Sequence, residues 1–136
     1  MTPMNEMFFE SRSRFAFAET LQKLSDLIPS NGWKEISVLD LQELMKKNGK
    51  EILPVKVVEL CKPDYAYRLL SDDSQRIYSN MLPCRISVYE KGDGNCYISR
   101  MNTAMMAAQL GGVTGEVMTA AYRDAEEMIR QLVVAE

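Results

Sequence analysis

Three cysteines and no histidine bound the chemistry open to this chain. Without imidazole there is no Ser-His-Asp or Cys-His nucleophile pair, and no histidine-held zinc, copper or haem. A general base would have to be Asp, Glu, Lys, Tyr or a thiolate. Two of the thiols sit in suggestive settings, Cys61-Lys62-Pro63 and Leu82-Pro83-Cys84. Cys61 is read as closing a buried strand just before a helix that Pro63 begins. The positive end of that helix and the neighbouring Lys62 would both favour the thiolate. If the strand after Cys84 runs antiparallel to the one ending at Cys61, or if the loop 74–83 carries the chain back, both sulfurs reach one rim of the sheet. There they would form a reversible disulfide, or hold a soft metal with Met81 as a weak further ligand. With Lys62, the residues Tyr65, Arg68 and Arg85 would line a pocket beside them, where guanidinium groups favour an anionic ligand.

The competing reading is plain packing. A free cysteine is among the most buried residue types and behaves as a small apolar group. The spacing is not Cys-x-x-Cys, and three cysteines without histidine do not complete a structural zinc site. Cys96, in the middle of a hairpin strand, reads as a core residue. No resident metal and no cofactor are expected. Met1, Met4 and Met7 invite a copper-binding reading, but they sit at the chain terminus. Met101, Met105, Met106, Met118 and Met128 recur at helical spacing and read as core fillers or interface residues. Asp72-Asp73 and Glu126-Glu127 are adjacent carboxylates that leave a helix in different directions, so neither makes an acid–base pair.

The elements that must position these groups follow from periodicity. Met7 to Arg12 reads as a first strand. Phe17, Leu21, Leu24, Leu27 and Ile28 recur at three and four, a helix with one buried stripe, ended by Pro29, Asn31 and Gly32. Trp33 to Leu39 alternates as a half-buried strand, and Asp40 caps a short helix, Leu41 to Asn48, closed by Gly49. Val55 to Leu60 is an interior strand. The helix from Pro63 is expected to turn Tyr67, Leu70 and Tyr65 inward. Segment 74–83 reads as an irregular docked loop carrying Ile77, Tyr78, Met81 and Leu82. Arg85 to Glu90 and Asn95 to Arg100 alternate around Gly92-Asp93-Gly94 as a hairpin. Asn102 caps Thr103 to Leu110, Gly111-Gly112 breaks that helix, and Thr114 caps a final helix over 114–136 with a broad apolar face from Val117 to Val133. The order is β-α-β-α-β-α-β-β-α-α: a single α+β domain, with helices packed on a mixed sheet of about five strands.

Composition agrees with one core. The chain has 136 residues, 46% of them hydrophobic and 26% charged, with a net charge of -3. That acidic balance excludes bulk nucleic-acid binding, which needs a basic footprint. The lysines at 46, 47 and 50, near Lys56 and Lys62, read as a solvated helix end. No stretch reaches the ~20 apolar residues of a membrane span. The start MTPMNEMFFESRSRF lacks a signal peptide's apolar run. A cytoplasmic protein with reduced thiols is the expectation, alongside an exported form whose leader has been removed.

The blocks NGWKEISVLDLQELMKKNG, PVKVVELCKPDYAYRLL and SNMLPCRISVYEKGDGNCYIS, spanning Gly32 to Asn102, resemble the DUF302 family of small bacterial and archaeal domains. With the first helix included the resemblance covers roughly residues 7–110, and the tail after Gly112 departs from shorter members. It implies a compact α+β fold and a homodimer, and brings no substrate, cofactor or catalytic residue. Three functions fit: a ligand-binding or sensory domain with its pocket near Cys61 and Cys84, a thiol-dependent redox or soft-metal-handling protein, and an oligomerising module using the final helix. Cysteine-bearing blocks without a base or metal set suit binding better than turnover, so the first leads and an enzyme is the lesser expectation.

Overall fold

A computed structural model describes residues 7–135; the terminal methionines Met1 and Met4 lie outside the described residues. Five strands, β1 (Phe8–Arg12), β2 (Lys34–Asp40), β3 (Val55–Cys61), β4 (Cys84–Glu90) and β5 (Cys96–Met101), form one sheet in the order β1-β5-β4-β3-β2. Where a mixed sheet is expected from the sequence, every pairing is antiparallel. The reason lies in the connections. The helix after β2, α2 (Leu41–Lys47), is too short to carry the chain back along the sheet, so it serves as a helical turn between neighbouring antiparallel strands. α3 (Pro63–Leu70), with a 3-10 turn at Arg76–Met81, likewise reverses the chain into β4. Only α1 (Phe17–Ser30) crosses the sheet, from the β1 edge to the β2 edge.

Strand alternation sorts the sheet into two faces. Val58, Leu60, Ile86, Val88, Cys96 and Ile98 face the helices and are at most 3% exposed. Leu24 and Ile28 of α1 meet them, as do Met128 and Ile129 of α5 (Gly112–Arg130). Burying each such side chain contributes roughly 1.5–3 kcal/mol. Asp40 caps α2 as expected, accepting from the Glu43 amide at 3.0 Å.

Four expectations shift. Within α3 it is Ala66 and Leu69 that turn inward, while Tyr67 is 72% and Leu70 38% exposed. Burial follows the i, i+3 pair that meets α5 rather than the largest side chains. Ile77 of the 3-10 turn is 76% exposed instead of docked. α5 starts at Gly112, and Thr114, instead of capping it, is buried inside its first turn and donates to Gln75. The helix also ends at Arg130 rather than running to 136. Beyond it the chain pairs with the end of β1, Ser13 opposite Val133, and the Val134 amide donates to the Arg12 carbonyl at 3.0 Å.

The apolar face of α5 is buried: Ala121, Met128 and Ile129 join the core on the sheet, and Val117 and Met118 are buried as well. The surface expected to drive oligomerisation is thus part of the core. α4 (Thr103–Leu110) packs on α5 where Gly115 leaves no room for a side chain, since a Cβ there would sit 2.8 Å from the Ala107 carbonyl oxygen. Among the described residues no helix is long and apolar enough to cross a membrane.

Candidate functional site

The six residues singled out from sequence fall into three places. Leu60 pairs with Cys84, so Cys61 and Cys84 occupy neighbouring positions at one end of β3 and β4, as required for a shared rim. Alternation separates their side chains. Cys84 shares the helix-covered face with Leu60 and packs against the core, whereas Cys61, opposite Lys34, belongs to the other face. Both are free thiols.

Their electrostatics run opposite to the expected activation. Burial pushes the Cys61 thiol up, and Cys84 is pushed up to about 11, first by burial and then by the charge of nearby Cys61. The ammonium of Lys62 does not serve a thiolate, because it is 3.2 Å from the Asp124 carboxylate of α5. A one-residue offset along β3 therefore turns the cation toward the helices and the sulfur away from them.

Tyr65 and Arg68 follow Lys62 to α5. The Tyr65 hydroxyl donates to the same Asp124 oxygen at 2.9 Å, its ring stands edge-on to Trp33, and Arg68 donates to Glu116 at 2.7 Å. These contacts hold α3 on α5. Arg85 lies on the opposite face, donating to Glu59 at 3.0 Å, and Glu59 also accepts from the Ser37 hydroxyl at 2.5 Å. Those two hydrogen bonds, Ser37 first, hold the Glu59 carboxyl below its usual range. Lys62, Arg68 and Arg85 each already face a carboxylate, and the three do not converge on one anion.

What the cysteine region does adjoin is a cavity of about 510 Å³, bounded by β4, β5, the end of the 3-10 turn, α4 and α5. Cys84 and Arg85 belong to its wall; Cys61, Lys62, Tyr65 and Arg68 do not. Much of the wall is apolar, with Met81, Ile86, Met101 and Met106 among its residues. Over it α5 presents Ala121 and Ala125, one turn apart, whose short side chains leave the space open.

The residues that sequence reasoning missed are the cavity's polar ones. Arg100 is 7% exposed, and its Nε and Nη2 donate to the two carboxylate oxygens of Glu126 at 2.7 and 2.8 Å. Its Nη1 donates to the Ser11 hydroxyl at 2.9 Å, and its guanidinium carbon stands 5.7 Å from the centre of the Phe9 ring. A signal for this existed. Arg100 follows Cys96 and Ile98 in the inward register of β5, and an arginine placed there needs a carboxylate from a covering helix. The neighbouring acids do diverge, Glu126 toward Arg100 and Glu127 toward Arg130. Of the methionines expected to fill the core, Met118 and Met128 do so, while Met101 and Met106 line the cavity. Among the described residues no three His, Cys, Asp or Glu side chains converge as a metal would require.

The raised thiol carries a pH signature. An unfolded chain's thiol ionises near 9.0, so between about pH 9 and about pH 11 the unfolded state releases a proton that folded Cys84 keeps. Stability from the neutral thiol is intact below that window and falls across it, by on the order of 2 kcal/mol. Denaturant titrations from pH 8 to pH 11 are expected to show a steeper loss in the wild type than in Cys84→Ala. Parallel curves would mean that the sulfur meets water.

A family model described as a domain of unknown function, DUF302, matches residues 9–135, including the tail beyond Gly112. No curated protein matches the chain. The crystal structure of an uncharacterized conserved DUF302 protein from Bacillus stearothermophilus is similar at a TM-score of 0.80, with 17% sequence identity over 91% of this chain and 96% of that one. At that identity the likeness is one of fold.

Proposed function

The chain belongs to the DUF302 family, a domain of unknown function, and from that premise we propose that it works by binding a small, largely apolar molecule in the cavity beneath α5. The observation that carries this reading is an apolar-walled space of about 510 Å³ set against a buried arginine that a part-exposed carboxylate holds in place. That volume lies within the range of small-molecule sites, which combine apolar walls with a few fixed polar groups. Larger residues at positions 121 and 125 would fill the space and recover packing, because a void forfeits dispersion contacts along its whole lining. Two alanines keep it open instead.

The site suits binding rather than turnover. Arg100 and Glu126 satisfy one another, which suits orientation of a bound group better than proton transfer. A redox role would need a thiolate near neutral pH, and both candidate sulfurs are held toward the neutral form. An anion of the kind first expected would find Lys62, Arg68 and Arg85 already occupied by carboxylates.

The ten methionines supply the test. Titrating the methyl-labelled protein with decanol, a neutral aliphatic probe, is expected to shift the methyl resonances of Met81, Met101 and Met106 together and saturably. Those of Met118 and Met128, buried outside the cavity wall, should stay in place. An unchanged spectrum, or shifts confined to Met45 on α2, would remove the cavity as a binding site.

A further inference from the structure

The wall of the apolar cavity gathers thioethers from separate parts of the chain. Met81 closes the 3-10 turn, Met101 ends β5 and Met106 belongs to α4. Met81 and Met106 are half-buried and Met101 is 36% exposed, whereas Met118 and Met128 are buried in the packed interior. An apolar wall alone does not call for methionine, because leucine and isoleucine are as apolar and hold better-defined rotamers. What the thioether adds is a polarisable sulfur on a flexible stem, and that sulfur makes favourable contacts with the edge of an aromatic ring.

Two aromatic residues, Phe8 and Tyr122, belong to the same wall. Tyr122 already stands edge-on to Phe9, with 6.4 Å between ring centres, and edge-on and offset contacts of that kind extend to a further ring. α5 adds a surface of matching shape. Ala121 and Ala125, one turn apart, carry single methyl groups and leave a shelf that suits a flat molecule. The arginines of the wall are closed on carboxylates: Arg85 faces Glu59, and Arg100 faces Glu126. Among the described residues the wall therefore holds no unanswered charge for an ionised ligand to meet. A planar ring also gives up less conformational freedom on binding than a chain of rotatable bonds.

We infer that the ligand is an uncharged planar aromatic molecule, seated against Ala121 and Ala125 with the sulfurs of Met81 and Met106 at its edge. This rests on the reading of that cavity as the binding site, and adds the class of molecule and the two thioethers that select it.

Nuclear magnetic resonance titrations with naphthalene and decanol, followed at the Met101 methyl group, test the inference in the wild type and in Met81→Leu/Met106→Leu. Leucine keeps nearly the same apolar volume without the sulfur. The double substitution is expected to weaken naphthalene binding about tenfold, through the loss of two sulfur–ring contacts, and to change decanol binding by less than about twofold. Each single substitution should weaken naphthalene binding about threefold, which carries the comparison if the double variant unfolds. Decanol should displace naphthalene from the wild type. Equal changes for the two probes, whether large or absent, would overturn the aromatic assignment and leave the cavity reading standing. So would a wild type that binds decanol but not naphthalene, or that holds both at once. If neither probe binds, the cavity reading fails and the aromatic assignment falls with it.

Discussion

Glu126→Gln is expected to lower the unfolding free energy by about 3 kcal/mol, the largest stability effect of any conservative substitution outside the apolar core. Arg100 is 7% exposed, and two of its nitrogens are spent on the Glu126 carboxylate. Glutamine has the same shape, but it presents one acceptor and one donor to a group that can only donate. The guanidinium is then left charged, buried and half-partnered, which is the costly way to break such a pair. The converse change is milder. In Arg100→Met the surviving Glu126 side chain is already 25% exposed and can turn to water, so a loss of about 1 kcal/mol is expected. Replacing both, as Arg100→Met with Glu126→Leu, should recover most of the stability, because an apolar pair avoids the desolvation of two charges. Urea denaturation at pH 7 measures all three. Equal, small losses for the two single variants would mean that the pair is solvated.

How much of this was readable from residue order depends on what each feature answers to. The strands and their faces follow local alternation: Val58, Leu60, Ile86, Val88 and Ile98 fall where period two puts them, and Gly92-Asp93-Gly94 marks the β4–β5 turn. The neighbourhood of Cys61 and Cys84 was likewise readable, because β3 ends and β4 begins at the same rim. What failed depended on partners distant in sequence. The sense of the sheet was set by whether α2 and α3 cross it or merely turn, and the alternation within each strand does not record that. The phase of α3 was set by α5, whose contact selected Ala66 and Leu69 over Tyr67 and Leu70. Activation of Cys61 was argued from Lys62 next to it, but that ammonium answers to Asp124, 62 positions later. The cavity was invisible for the same reason. A void is created by two short side chains in α5 lying over strands far earlier in the chain, and no local pattern records it. Arg100 was the one missed residue with a local clue, a charge in an inward strand register.

Closing the space should abolish binding without unfolding the domain. Ala125→Phe places a phenyl ring beneath α5. Enlarging a buried side chain ordinarily costs about 1–3 kcal/mol by overpacking. Here the ring enters a space of about 510 Å³ that is already empty, so the expected change in stability is within about 1 kcal/mol. The ring removes the volume into which an aliphatic chain would fit, and the expected loss of affinity is at least tenfold. Stability and affinity therefore move independently in this variant, which separates a binding site from a packing defect.

Calorimetric titration of decanol into the wild type and into Ala125→Phe makes the decisive comparison. Saturable one-to-one binding to the wild type, with the negative heat-capacity change of apolar burial, and at least tenfold weaker binding to a variant that unfolds at the same denaturant concentration, is the expected result. Decanol that binds both proteins alike, or binds neither, would contradict the assignment of this cavity as the functional site of the domain.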